Sequence, residues 1–260
     1  MQNQKVSRVL LLLAIVFLVS CQNGIKSTKQ SASANHYPAA VGFNSDDSDT
    51  AAIIIAEQVM NAQGGYDNWQ HTHYIQWTFF GKRTLLWDKF SGNVRIELSD
   101  DLKNTVIVNI HTSEGKAEKD GVEVTDETAL KELLHKAKSI WINDAYWLTM
   151  PYKLKDSGLT LKYVGQETIN DSEVDVLQLT FNDVGDTPDN KYLVYIDKTS
   201  HLVIQWAFFT SFEDENPRFV TPWADYKQYG NILLSSNRGK FELTDIAVLD
   251  DVPSDAFEKL

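Results

Sequence analysis

Few residues in this chain are spaced for chemistry. His71 and His73 stand two apart, which on a strand would put both rings on one face as a possible metal pair. A third ligand is needed, with His111 and His201 as candidates, but no His-Glu-x-x-His run and no cysteine pair supports a site. An ordinary strand entrance accounts for the two histidines better. Asp183, Asp186 and Asp189 lie in NDVGDTPDN, dense enough in carboxylate to hold calcium. Their spacing is not that of an EF-hand loop, and the Gly, Pro and Asn among them mark a hairpin connection. The chain has no G-x-S-x-G and no phosphate-binding loop. Acidic residues are numerous, yet nothing selects a pair for two-carboxylate hydrolysis. The expectation is a protein with no catalytic residues, no metal and no cofactor, with a hydrolase as the alternative.

Aromatic surface is what the chain has in plenty. The stretch WINDAYWLTMPYKL (141–154) contains Trp141, Tyr146, Trp147, Met150 and Tyr152. Elsewhere, Trp77 and Phe79 alternate along HYIQWTFF, Trp87 follows in RTLLWDKF, and Trp206 and Phe208 alternate along HLVIQWAFF. Alternation puts each such pair on one face of a strand. Large side chains with a polar handle suit the wall of an apolar cavity as well as a core. These ten residues are the candidate cavity lining, with a fully packed core as the competing outcome.

The elements that would position them follow from periodicity. Asp49 or Thr50 can cap a first helix rich in isoleucine, which Gly64-Gly65 closes. The period then changes to two, and short runs separated by turn residues predict an antiparallel meander. Ser91-Gly92-Asn93, Asp100-Asp101 and Asp197 to Ser200 supply turns. A second helix is predicted over 126–139, capped by Thr125 or Asp126, with Leu130, Leu133, Leu134 and Ala137 on its apolar face. It should end near Ile140. Asn143 and Asp144 then suit a turn, and Pro151 should hold Met150 extended. On this reading, 141–154 is a connector and forms the seam between helix and sheet at the cavity mouth. Seven further strand runs follow. The predicted fold is mainly β (α+β): one curved antiparallel sheet of roughly eleven strands, a half-open barrel, with two helices over its concave face.

The N-terminus addresses a different question. Lys5 and Arg8 precede an apolar run, Val9 to Val19, too short to span a bilayer. It ends in Leu18-Val19-Ser20-Cys21, which resembles the lipobox of bacterial lipoproteins. That resemblance implies a signal peptide over residues 1–20, cleavage before Cys21 and lipidation of its sulfur. Cys21 is the sole cysteine, so no intramolecular disulfide is possible. Without the signal the chain carries 22 basic and 36 acidic side chains, a net charge of −14. Such a surface repels nucleic acid and anionic headgroups, so the lipid on Cys21 would hold the protein on a membrane. Residues 21–48, rich in Ser, Ala, Asn and Asp, are expected to form a flexible tether, and residues 49–260 a single domain.

The order of lipobox, Gly-Gly-terminated helix, Trp87-Asp88 strand, NDAYWLTMPYKL, KYLVYID and VPSDAF resembles uncharacterised bacterial envelope lipoproteins. These in turn distantly resemble the outer-membrane lipoprotein-sorting (Lol-type) carriers and receptors. The resemblance implies a half-barrel with a helical lid over an apolar cavity, which in the carriers takes lipoprotein acyl chains. The lipobox places this chain nearer the anchored receptors than the soluble shuttle. The expected protein is a monomer in a Gram-negative-type envelope. It would be anchored on the outer membrane facing the periplasm, since no acidic run follows Cys21, and would hold a lipid or acyl chain without catalysis. A scaffold lipoprotein with a packed core is the alternative.

Overall fold

The computed structural model describes residues 37–99, 104–182 and 189–260. The signal segment, Cys21, the Asp100-Asp101 turn, Asp183 and Asp186 lie outside the described residues. The chain opens with α1 (Thr50–Ala62) and α2 (Tyr66–His71). Next come β1 (Tyr74–Phe79), β2 (Arg83–Asp88), β3 (Asn93–Leu98), β4 (Thr105–Asn109), β5 (Gly115–Lys119) and β6 (Val122–Glu123). The long helix α3 (Glu127–Thr149) and a 3-10 turn (Met150–Tyr152) interrupt the strands. Then follow β7 (Leu159–Ile169), β8 (Ser172–Phe181), β9 (Lys191–Asp197), β10 (Val203–Phe209), β11 (Phe219–Pro222), β12 (Ala224–Tyr229), β13 (Ile232–Arg238) and β14 (Phe241–Leu249).

The fold is mainly β and antiparallel, as the periodicity predicts, and the sheets do not close into a barrel. It differs from the expectation in being two sheets rather than one. Nine strands run in the order β12-β13-β14-β1-β2-β3-β4-β5-β6, and five in the order β11-β10-β9-β8-β7. There are fourteen strands among the described residues. β5 and β6 are short and polar, and the run RFVTPWADYKQY, which reads as one strand, is divided at Trp223. β11 pairs with β10 in the smaller sheet, and after Trp223 the same run pairs with β13 in the larger one. Pro222 offers no N–H, which suits a strand end, while the Trp223 N–H still donates to Ile204 O at 2.8 Å. A bent strand that changes sheets makes the corner between them.

Tyr37 is only 3% exposed, and its hydroxyl donates to Tyr152 O at 2.9 Å. Ala40 N–H donates to Lys155 O, and the Asn44 amide to Thr160 Oγ1. Residues 37–48 are therefore packed on the domain, not free as a tether would be. A buried tyrosine outweighs their polar composition. Asp49 occupies the N-cap position of α1, but its carboxylate accepts from Tyr163 N–H (2.9 Å) instead of from the helix. Asp126 does cap α3, accepting from Ala129 N–H at 2.9 Å, and Asp197 accepts from Thr199 and Ser200 N–H in its hairpin turn.

The helix predicted over 126–139 continues to Thr149, and 141–154 is not a connector. At 1.5 Å per residue, α3 is about 34 Å long. Asn143 and Asp144, read as a turn, lie inside the helix. The reason is a partner remote in sequence: Arg83 on β2 grips the fully buried Asp144 carboxylate through Nε (2.6 Å) and Nη2 (2.7 Å). Burial pushes the Asp144 carboxyl up, and hydrogen bonds from Arg83 and Asn143 oppose the rise. Met150 is not extended but helical (φ −48°, ψ −41°). Pro151 enters a first 3-10 turn, where its missing N–H costs nothing.

Two apolar clusters share this helix. Leu134, Ala137, Ala145 and Leu148 join Trp77, Leu85, Val94 and Val108 of the larger sheet. Gly115 permits the close approach, because a Cβ there would stand 2.0 Å from Ile107 O and 2.9 Å from Leu134 Cδ2. α1 supplies Ala52, Ile55, Ala56 and Val59 to the second cluster, with Leu161, Leu177, Val194, Trp206 and Trp223. Trp147 packs against both.

The corner itself is pinned by Arg238, which is 1% exposed. Its Nη2 donates to Trp147 O at 2.7 Å, its Nη1 to Asn237 O and Ser235 Oγ at 2.8 Å each, and its Cζ lies 3.5 Å from the Trp223 ring centroid. Among the described residues no carboxylate pairs with it. The Trp147 carbonyl, at the negative end of the α3 dipole, and the Asn237 carbonyl carry the compensating partial charge. Burial lowers the ionisation of Arg238, but it remains charged at neutral pH. Replacing Arg238 with Met should strand the Trp147 and Asn237 carbonyls in the interior. The expected cost is about 3 kcal/mol or more, read as a lower urea midpoint with an unchanged m-value; an unchanged midpoint would refute the pin.

Candidate ligand-binding site

Towards its C-terminal end α3 also faces the smaller sheet, through Tyr146 and Trp147. Trp141, Ile142, Asn143, Ala145, Tyr146 and Trp147 form one wall of a partly open groove of 430 Å³. The opposite wall is Leu159 from β7, Phe181 at the end of β8, and Asn190 and Tyr192 at the start of β9. Lys153, Asp156 and Ser157, just past the 3-10 turn, also line it.

Ring contacts set the groove's shape. Tyr146 lies 5.5 Å from Tyr192, 6.3 Å from Phe181 and 5.9 Å from Trp206, measured between ring centroids. Tyr192 stacks on Trp206 at 5.1 Å, and Trp147 meets Trp206 edge-on at 4.9 Å. Offset and edge-on pairs of this kind add about 0.5–1.5 kcal/mol each beyond area burial. The wall is therefore preformed rather than collapsible. Burial raises the Tyr146 and Tyr192 hydroxyls well beyond neutrality, so both are uncharged donors or acceptors at pH 7. The Trp141 indole N–H is buried and has no acceptor among the described residues. Lys153 Nζ pairs with Asp156 Oδ2 at 2.7 Å.

Of the ten aromatic and methionine candidates, Trp141, Tyr146 and Trp147 line this groove. Trp77, Phe79, Trp87 and Tyr152 lie in the packed cluster between α3 and the larger sheet. Met150 and Trp206 lie in the cluster on the smaller sheet, Trp206 directly behind Tyr192. Phe208 is half-buried against Tyr192 (5.2 Å) and Phe219 (5.1 Å). The structure thus places most of the candidates in core and leaves a smaller groove at the helix end. Phe181 and Tyr192 were not singled out by sequence reasoning. They flank NDVGDTPDN, and hairpin alternation across that connection would have brought them together, as it does at 5.8 Å.

The histidines part company. His71 ends α2, its Nδ1 2.7 Å from Asp67 O. His73 stacks between Tyr74 (3.7 Å) and Phe90 (4.3 Å), with Nε2 3.2 Å from Asp88 Oδ1. No group of three or more His, Cys, Asp or Glu side chains comes together among the described residues. A second hollow, of 300 Å³, lies between the outer side of β1–β3 and the segment 253–260, and Arg95 and Glu97 make it polar. Arg95 Nη1 donates to Ala256 O at 3.3 Å, so the chain's own tail covers it.

Lys89, just after β2, sits over an aromatic ring. Its Nζ lies 4.6 Å from the Trp69 ring centroid, and Trp69 stacks on Tyr152 at 4.4 Å. Burial pulls the Lys89 ammonium down to about 8, and the charge on Lys153 adds to the effect.

No family model matches this sequence, and no curated protein matches it. Solved structures do align. A DUF1329 family protein from Desulfovibrio piger matches at 10% identity over 80% of this chain and 97% of that one, with a TM-score of 0.42. A putative outer membrane lipoprotein-sorting protein domain from Vibrio parahaemolyticus matches at 11% over 80% and 97%, TM-score 0.37. A LolA superfamily protein from Nitrosomonas europaea matches at 9% over 80% and 97%, TM-score 0.39. These alignments are distant and concern architecture alone.

Two outcomes are expected at this site. Trp147→Ala removes the ring shared by both clusters and should cost about 3–5 kcal/mol in a denaturant titration; a loss under about 1 kcal/mol would refute its bridging role. Lys89 is held less basic in the folded state than in the unfolded chain, so its penalty is fully present below pH 8 and is relieved as pH rises towards 10.5. Stability should gain a component that climbs between pH 8 and 9.5 and is absent in Lys89→Gln. An identical pH profile for both proteins would contradict the assignment.

Proposed function

We propose that this protein is a membrane-anchored envelope lipoprotein that holds an apolar ligand, a lipid or the acyl chain of a lipoprotein, in the groove between α3 and the five-stranded sheet, without catalysis. The observation that carries this reading is the preformed aromatic wall of Trp141, Tyr146, Trp147, Phe181 and Tyr192 around 430 Å³ of space. Ligand pockets are commonly about 300–1,000 Å³ and mostly apolar, with a few polar groups at the edge. Binding would come from burial. Each methylene removed from water is worth ~0.8 kcal/mol, about fourfold in affinity, against which the lost freedom of the ligand must be set.

Anchoring through a lipid on Cys21 belongs to the same proposal, as does an outer-membrane position facing the periplasm. The basic start, short apolar run and Leu18-Val19-Ser20-Cys21 support it. A second reading, a partner-binding lipoprotein whose half-barrel is only a core, draws on the packing of Trp77, Trp206 and Tyr152, each at most 1% exposed.

Native mass spectrometry of the protein purified from envelope membranes separates the two. Binding predicts a lipid held in addition to the anchor, and uptake of a fluorescent fatty acid. The absence of both would overturn the binding proposal in favour of the second reading.

A further inference from the structure

The segment Tyr37 to Asp49 is fastened as a strap beside the groove. Lys155, 4% exposed, donates through Nζ to Tyr37 O and to Glu57 Oε1 (3.0 Å), and its backbone N–H donates to the Tyr37 hydroxyl at 2.9 Å. Ala40 N–H donates to Lys155 O at 2.9 Å, Gly158 N–H to Gly42 O at 2.7 Å, and Asn44 N–H to Leu159 O at 3.1 Å. Gly42 (φ +88°) fits where a side chain would not, because a Cβ there would meet Ser157 Oγ at 2.6 Å. Ser157 and Leu159 line the groove, and Lys155 lies between the lining residues Lys153 and Asp156. At about 3.8 Å per residue, the Tyr37 hydroxyl stands within about 10 Å of both.

This fastening resets the length of chain between the anchor and the domain. Residues 22–36 separate Cys21 from Tyr37, fifteen residues, or about 55 Å at full extension. Attached only from Asp49 onward, the domain would be joined through residues 22–48, about 95 Å. A compact domain of residues 37–260 measures roughly 45 Å across. With Tyr37 turned away from a bilayer, the link would have to pass around the domain, roughly 60 Å, which is more than it can span. The longer link would leave every orientation open. Fastening the strap beside the groove therefore keeps the groove on the membrane side.

We propose that the strap Tyr37–Asp49 holds the groove facing the bilayer that anchors the chain, and that the groove takes its acyl chain from a lipid of that bilayer. The partner is thus a lipid surface, met on the side where the link enters the domain. Tethering presents lipids of the anchoring bilayer at an effective concentration in the millimolar range, whereas lipids of another membrane are met only by collision. The inference rests on the binding reading and the Cys21 anchor above, and adds the source of the ligand and the face that meets it.

The test uses the lipidated full chain in phosphatidylcholine vesicles. The sole cysteine carries the anchor, so an introduced cysteine can be labelled singly. Ser157→Cys places a fluorophore beside the groove, and Thr168→Cys places one near the far end of β7, about 30 Å along the strand from Leu159. A lipid spin-labelled at its headgroup should quench the first severalfold more than the second. About thirty Gly and Ser residues inserted between residues 36 and 37 leave the strap intact and should abolish the difference. Uptake of a pyrene-labelled acyl lipid should be at least about tenfold faster from the vesicles that carry the protein than from protein-free vesicles mixed with them, and the insertion should lower that ratio. Equal quenching at the two sites, or stronger quenching at Thr168→Cys, overturns the orientation. An insertion that changes neither readout overturns the role of the short link. Equal uptake from both vesicle populations overturns the anchoring bilayer as the source. Release of the chain from the vesicles overturns the proposal together with the anchor. The expected quenching with no uptake from either population overturns the groove reading instead and leaves the orientation standing.

Discussion

One buried cation holds the architecture together. Arg238 lies where a single run of chain leaves the smaller sheet and enters the larger, and its guanidinium reaches across to the last turns of α3. It joins the corner strand, β13 and the helix in one contact set, through carbonyls and the face of Trp223. Burying a charge without a carboxylate is costly unless fixed dipoles replace water. Here the Trp147 carbonyl in the last turns of α3 and the Asn237 and Ser235 carbonyls of β13 accept from the guanidinium. The arrangement works only if α3 ends at that point, and Pro151 and the 3-10 turn see that it does. Arg83 with Asp144 ties the same end of the helix to β2, so α3 is held at two places about a turn apart.

The groove follows from those ties. A helix of about 34 Å is longer than the patch of β4 and β5 that its first half covers. Its last turns also meet the smaller sheet, where Tyr146 and Trp147 contact Trp206. The ties hold the helix, and the stacked rings behind Tyr192 hold the opposite wall. What is left between them is a space that neither side can close without breaking ring contacts. Rigid walls suit a ligand recognised by its apolar length, because little conformational freedom remains to be lost on binding.

Much of this was legible in the sequence, and the failures share one cause. Period-two runs found the strands that carry the core, and capping residues placed the start of α1 and α3. The corner was hidden because RFVTPWADYKQY reads as one unbroken β run, although its inward side shifts from Thr221 and Trp223 to Ala224 and Tyr226. Only pairing partners reveal that it serves two sheets. Asn143-Asp144 looked like a turn because local propensity says so. The Arg83 fork, 61 residues upstream, overrode it. The aromatics were recognised as interior, but alternation cannot distinguish a wall from a core. Which of them line space depends on which side of α3 faces the smaller sheet, a property of helix length and tertiary ties. Lys153 and Asp156 gave no sequence signal of their own, since the turn that places them was read as extended.

The central claim is that an acyl chain lies along the α3–β9 wall. Intermolecular NOEs between a 13C-labelled acyl chain and the aromatic protons of Trp141, Phe181 and Tyr192 test it directly. The account expects cross-peaks from chain methylenes to all three rings at once, with none to Trp77 in the packed cluster. Cross-peaks to Trp77 or to the outer face of the larger sheet, with the three groove rings silent, would contradict it.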